Sequence, residues 1–175
     1  MKLLVSLKAK DVDKLASNLD YDSFKTRDAV RAIVLNYENK IALIHVSKHD
    51  YYMLPGGGVE EGEDFRKGLK RELAEELGTA IKIIDEVGSS EVYFDRWSKK
   101  QVDYCYIARV IEGGSNKNLT NFEIEEGHNA MWVDGVQSAI KLVSEANPIN
   151  TEGKLVRERD LVFLEAALAT IMQLS

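Results

Sequence analysis

The chain has 175 residues, of which 45% are apolar and 30% charged, with a formal net charge of -6. That length suits one domain with a sizeable core and leaves no room for a second, and an acidic balance without any basic run argues against binding to duplex nucleic acid. The single cysteine, Cys105, excludes an intramolecular disulfide and a cysteine-based zinc site and suits a reducing, cytoplasmic setting; no stretch is long enough to cross a membrane, and apolar residues 1–7 are too short for a secretory signal.

In chain order, residues 3–7 predict a short strand, and 11–19 a small amphipathic helix with Val12, Leu15, Ala16 and Leu19 on one side. Residues 1–26 thus form an N-terminal extension that either packs on an edge or a second subunit, or contributes to substrate choice. Residues 29–36 and 40–47 are β-rich runs separated by Tyr37, Glu38 and Asn39, the pattern of a hairpin. Arg31 alternates with apolar neighbours, so it either faces solvent in a structural role or reaches a ligand phosphate. His45 reads as a hydrogen-bonded strand histidine rather than a base. His49, Tyr51 and Tyr52 stand before a glycine-rich loop, where they either line a substrate cleft or pack the loop.

Residues 56–79 are poorly explained by packing alone. Three glycines, Gly56, Gly57 and Gly58, open a loop without the Gly-Lys-Ser/Thr of a Walker motif. A helix follows from near Asp64 to a left-handed cap at Gly78, with Phe65, Leu69, Leu73 and Leu77 as its apolar stripe. At about 100° per residue, Glu72, Glu75 and Glu76 border that stripe rather than lying opposite it. Glu72 and Glu76 repel at i, i+4, and Glu75 and Glu76 crowd the negative end of the helix dipole. Two carboxylates 4 Å apart beside a protein wall repel by about 4 kcal/mol at a dielectric of 20. Arg71 can neutralise one carboxylate, with Glu63 its obvious partner, which leaves three glutamates in need of a cation. A hard divalent ion such as Mg²⁺, with Mn²⁺ as a substitute, meets that need; a solvated acidic helix face is the plainer alternative.

Beyond the helix, 80–86, 91–97 and 101–111 read as strands broken at Gly88-Ser89-Ser90 and at Ser98-Lys99-Lys100. Tyr93, Phe94 and Trp97 either fill the core or stack on a base. Residues 113–119 read as a polar loop. In 122–134 an acidic loop leads through Gly127 into a strand at 131–133; 136–146 is helical, Pro148 and Gly153 mark a break, and 157–174 is a long helix with Leu161, Leu164, Leu168 and Ile171 on its apolar side.

The motif glycine, five residues, glutamate, seven residues, Arg-Glu-aliphatic-any-Glu-Glu-any-Gly-aliphatic resembles the Nudix box, read here as Gly57, Glu63, Arg71, Glu72, Leu73, Glu75, Glu76 and Gly78. Thr79 departs from the final aliphatic position, which concerns packing more than chemistry. Weaker similarity extends from about residue 27 to 134. The resemblance implies a single α/β domain over 1–175, an α/β/α sandwich on a mixed sheet, with 155–175 as a C-terminal helix. It implies Mg²⁺-dependent hydrolysis of a phosphoanhydride in a nucleoside diphosphate linked to another moiety, a small-molecule substrate, and a homodimer. Gly57 through its carbonyl, Glu72, Glu75, Glu76 and an added carboxylate before the last strand, Glu126 with Glu123 or Glu125 as substitutes, would hold the metal. Glu76 and Glu126 are rival bases, His128 a further proton acceptor; Glu63 would assist through the metal shell and Arg71 would orient a catalytic glutamate. Arg31, His49, Tyr51 and Tyr52 are the substrate-binding candidates. A catalytically silent nucleotide-binding or sensing module on the same fold, and an interaction protein whose acidic helix is only a surface, are the alternatives.

Overall fold

A computed structural model describes residues 1–13, 19–114 and 116–174. Its strands are β1 (Leu3–Leu7), β2 (Lys25–Leu35), β3 (Ile41–Val46), β4 (Tyr51–Met53), β5 (Thr79–Phe94), β6 (Lys99–Gly113) and β7 (His128–Val133). The helices are α1 (Ala9–Asp13), α2 (Phe65–Leu77), α3 (Asn121–Glu126), α4 (Gly135–Glu145) and α5 (Thr151–Leu174). The strands form one mixed sheet in the order β1-β5-β6-β2-β3-β4, with β7 also paired to β3. The β2–β6 and β1–β5 pairs are parallel, and β5–β6 and those around β3 antiparallel.

Strand alternation divides the core into two layers. Val30, Ala32 and Val34 of β2 and Tyr106, Ala108 and Val110 of β6 pack with Leu69, Leu73 and Leu77 of α2. Ile33, Leu35, Cys105 and Ile107 face the other way, onto Val136, Ala139 and Val143 of α4 and Phe163, Leu164, Ala167 and Ile171 of α5. This is the expected α/β/α sandwich. On that second face the odd positions change character toward the strand starts, to Arg27 and Arg31 on β2 and Gln101 and Asp103 on β6. The polar end is the floor of a cleft.

The expected hairpin exists only at its tip. Leu35 pairs with Ile41, after which the strands part and residues 55–57 enter the opening: Ala32 N–H donates to the Pro55 carbonyl at 3.0 Å and Val30 N–H to the Gly57 carbonyl at 2.9 Å. The sheet is thereby split where the glycine loop meets α2. Tyr51–Met53, just before the glycine-rich loop, is the strand that takes β3's freed edge.

Other boundaries differ for identifiable reasons. Gly88-Ser89-Ser90 does not interrupt β5; register shifts between Glu86 and Gly88 absorb it, and Ser89 and Ser90 pair with both β6 and β1. The turn lies at Asp95–Trp97, and Lys99 and Lys100 already belong to β6. The acidic stretch at 121–126 is helical, fixed by a capping box in which Thr120 and Glu123 satisfy each other's backbone N–H. Helix α5 begins at Thr151 and contains Gly153, which is no break: a Cβ there would press on Tyr51, Asn150 and Pro148. The N-terminal helix is Ala9–Asp13; Leu15 and Ala16 of the expected apolar side lie outside the described residues, and Leu19 is exposed. Asp13 is tied to α5 through Lys154 and Thr151. No helix among the described residues is long and apolar enough to cross a membrane.

Candidate active site

The ends of α2 behave as its sequence requires. The Asp64 carboxylate accepts from the N–H groups of Arg66 (3.0 Å) and Lys67 (3.1 Å), and Gly78 closes the helix at φ 66°. Between them the apolar stripe turns toward the sheet and carries Glu72 and Glu76 into the split beside the glycine loop, leaving them 9% and 2% exposed. Glu76 Oε2 accepts from Gly56 N–H at 2.6 Å, whereas its buried Oε1 has no hydrogen-bond partner among the described residues. Burial pushes the Glu76 carboxyl up to about 8, and it raises that of Glu72 as well. A Cβ at Gly57 would run into the Glu72 carboxylate, so a side chain there would displace that carboxylate.

Arg71 is already occupied. Its guanidinium forks onto Glu63 at 3.1 and 3.0 Å, donates to Glu72 at 2.7 Å and to the Gly58 carbonyl at 3.0 Å, and reaches Glu75 at 3.4 Å. The Arg71 hydrogen bonds hold the Glu63 carboxyl below the usual range. Glu63 thus braces Arg71 against the loop; Glu72 and Glu75 share the rest of that guanidinium, and Glu76 has no ion-pair partner among the described residues.

These groups open onto a cleft of about 800 Å³. Arg31, His49, Tyr51, Glu123 and Glu126 also line it. Arg31 is buried, with Nε donating to Asp103 at 3.1 Å and Nη1 to the Gly56 carbonyl, so it shapes the loop from below. Tyr51 faces the cleft, its phenol pushed up to about 12 by burial. The structure does not bring Tyr52 there: side chains alternate along β4, and Tyr52 stacks on His45 at 4.7 Å on the opposite face. Glu126 accepts from Lys48 at 2.7 Å and pairs with His49 Nε2 at 2.8 Å; the Lys48 contact leads the lowering of its carboxyl. Glu123, ranked behind Glu126 from sequence, stands nearer Glu76: ligand atoms of Glu76, Glu123 and His128 lie within 4.8 Å of one another. Burial holds the His128 imidazole toward its neutral form.

The sequence reading missed two further groups. Asp103, Arg159 and Asp160 are fully buried beneath the floor, with Arg159 donating to Asp160 at 2.8 Å and to Asp103 at 3.3 Å. Their signal was legible, since Arg159 and Asp160 interrupt the buried stripe of Leu155, Val156, Phe163 and Leu164. The second is a cationic wall. Lys99 sits 5.2 Å from the ring centroids of both Phe94 and Trp97, and burial followed by Arg27 lowers its ammonium pKa. Arg27, Arg96 and Lys99 form no ion pair among the described residues. Tyr93 instead packs edge-on to Tyr21 in a separate aromatic group.

The residues fit a divalent ion: oxygen donors converge, one buried oxygen lacks a partner among the described residues, and Arg71 is shared among Glu63, Glu72, Glu75 and the Gly58 carbonyl without bonding Glu76. Comparison with known proteins agrees. The model of the NUDIX domain matches residues 25–148. Diphosphoinositol polyphosphate phosphohydrolase 2 of Rattus norvegicus is 29% identical over 136 residues, covering 76% of this chain and 70% of the rat protein. Among solved structures, a NUDIX hydrolase from Nitrosomonas europaea superposes with a TM-score of 0.60 at 16% identity, covering 83% of this chain and 90% of its own. A MutT protein from Methanosarcina mazei Go1 gives 0.57 at 18% identity, with 85% and 97% covered. Nudix hydrolases generally use divalent metal ions, and this chain belongs to that family, as a hydrolase of phosphoanhydrides.

Proposed function

We propose that the protein catalyses Mg²⁺-dependent hydrolysis of a phosphoanhydride in a nucleoside diphosphate linked to a second moiety. The observation that carries this reading is Glu76: a buried carboxylate with one unpartnered oxygen, beside Glu72 and Glu75, on the wall of a cleft large enough for such a ligand. Glu72, Glu75 and Glu76, the Gly57 carbonyl and Glu123 are the residues that would hold the metal. When bound, Mg²⁺ would neutralise diphosphate charge and acidify a coordinated water.

The chain's own groups divide the remaining work. Arg71, forked onto Glu63, fixes the carboxylates of Glu72 and Glu75 from behind. Glu126 is our choice of proton acceptor over Glu76, because it lines the cleft, stays partly accessible and is kept ionised by Lys48, whereas Glu76 is committed to Gly56 and to the ion. Tyr51 and His49 also line the cleft, His49 beside Glu126. The sole cysteine, Cys105, is buried and free, in keeping with a cytoplasmic enzyme.

A second reading concerns the substrate's charge. Arg27, Arg96 and Lys99 line one wall of the cleft without an ion-pair partner among the described residues, which suits a substrate carrying phosphates beyond the diphosphate, as the rat relative's name describes for that enzyme. A panel of ADP-ribose, nucleotide sugars, dinucleoside polyphosphates, nucleoside triphosphates and diphosphoinositol polyphosphates, assayed with Mg²⁺ and resolved by chromatography, tests both. Turnover confined to substrates with additional phosphates selects the second reading. Tight calorimetric binding without any product would instead identify a silent binding module, and equal turnover by wild type and Glu76→Gln would remove the assignment of the site.

A further inference from the structure

We propose that His128 contributes an imidazole nitrogen to the ion site at Glu76 and Glu123, giving this centre a mixed nitrogen and oxygen donor set that favours transition-series ions over Mg²⁺. The inference rests on the hydrolase reading for the position of the ion and goes beyond it in the donor set.

Three elements bring the groups together. Helix α2 delivers Glu76, α3 delivers Glu123, and Gly127 at φ 75° turns the chain so that His128 opens β7 opposite Val46. One ligand atom from each lies within 4.8 Å of the others. An ion with bonds of about 2.1 Å spaces adjacent donors by about 3 Å and opposite donors by about 4 Å, so small side-chain rotations close the set. Two of its members hold buried atoms without a hydrogen-bond partner among the described residues, Glu76 Oε1 and His128 Nδ1. A histidine placed there for packing alone has no reason to face two carboxylates without bonding either. His45 Nε2 and His49 Nδ1 also lack hydrogen-bond partners among the described residues, but His45 stacks on Tyr52 and His49 pairs through Nε2 with Glu126, so His128 is the histidine grouped with Glu76 and Glu123.

The chemistry follows from donor type. Carboxylate and carbonyl oxygens suit Mg²⁺, whereas imidazole raises affinity for Co²⁺ and Zn²⁺ far more than for Mg²⁺. The chain has three histidines, so the source of any nitrogen can be isolated by substitution.

The test uses the full chain loaded with Mn²⁺ and pulsed electron paramagnetic resonance, which reads ¹⁴N coupling to the ion. Coupling is expected in the wild type, His45→Gln and His49→Gln, and is lost in His128→Gln; His128→Asn serves if the first variant does not fold in chelator. By calorimetry, His128→Gln should weaken Co²⁺ binding by about tenfold or more and Mg²⁺ binding by less than about threefold. Mn²⁺ binding without ¹⁴N coupling in the wild type, or equal losses for both ions, overturns the nitrogen donor while leaving the hydrolase reading intact. No binding of any divalent ion overturns both.

Discussion

A carboxyl group as buried as Glu76, with one oxygen unpartnered, is comfortable either protonated or beside a cation. In chelator the first condition should show. The Glu76 carboxyl is raised from the ordinary 4.5 to about 8, so over that window the native state keeps a proton that the unfolded chain has released. The contribution of this one carboxyl to metal-free stability is then full below about pH 4.5 and is lost as the pH climbs to about 8. Thermal melts in chelator should fall across this range, Glu76→Gln should flatten the decline, and added Mg²⁺ should restore stability at the alkaline end. At saturating Mg²⁺, Glu76→Gln should lower kcat by about 100-fold or more. Glu126→Gln should lower kcat by roughly 100-fold or more with the Mg²⁺ affinity nearly unchanged. Parallel loss of affinity in Glu126→Gln, measured by calorimetry, would instead make Glu126 a ligand.

At the scale of elements, the site depends on a loop that occupies a gap in the sheet. Gly56 adopts φ 128°, and a Cβ there would collide with the Val30 carbonyl, a backbone atom that cannot rotate away. Gly56→Ala should therefore cost about 2 kcal/mol or more in denaturant unfolding, a larger effect than an alanine substitution on the exposed side of α2. Helix α3 is too short to persist by propensity and relies on its capping box. Thr120→Ala should remove about 1 kcal/mol of local stability and free Glu123, with faster amide exchange over 121–126 as the measurement. Unchanged exchange there would mean that packing against β7, not the cap, holds Glu123 in place.

For the whole molecule, the buried Arg31, Asp103, Arg159 and Asp160 group joins β2, β6 and α5 beneath the cleft. Burial alone would raise the Asp103 carboxyl, but Arg159 and Arg31 outweigh it and hold it low. Arg159→Met leaves Asp103 with Arg31 and Gln101 and the buried Asp160 with the Leu54 N–H but without its cation, and should cost about 3–5 kcal/mol, read from the denaturant midpoint. A loss under about 1 kcal/mol would show that the group contributes little net stability.

Local patterning made much of this molecule legible. The period of Phe65, Leu69, Leu73 and Leu77, the caps at Asp64 and Gly78 and the fixed spacing of Glu63, Arg71, Glu72, Glu75 and Glu76 depend on near neighbours, so sequence alone determined the box helix and its carboxylate arc. The α/β/α sandwich, with one core layer on each face of the sheet, was implied by the resemblance of that motif to the Nudix box. What lies far apart in the chain was decided only by the fold. The parting of β2 from β3, the continuity of β5 through Gly88, the turning away of Tyr52 and the meeting of Glu76 with Glu123 and His128 all depend on register between strands and on which edge each segment finds free. Such pairings are set by the packing of the whole sheet, and no local run of residues encodes them.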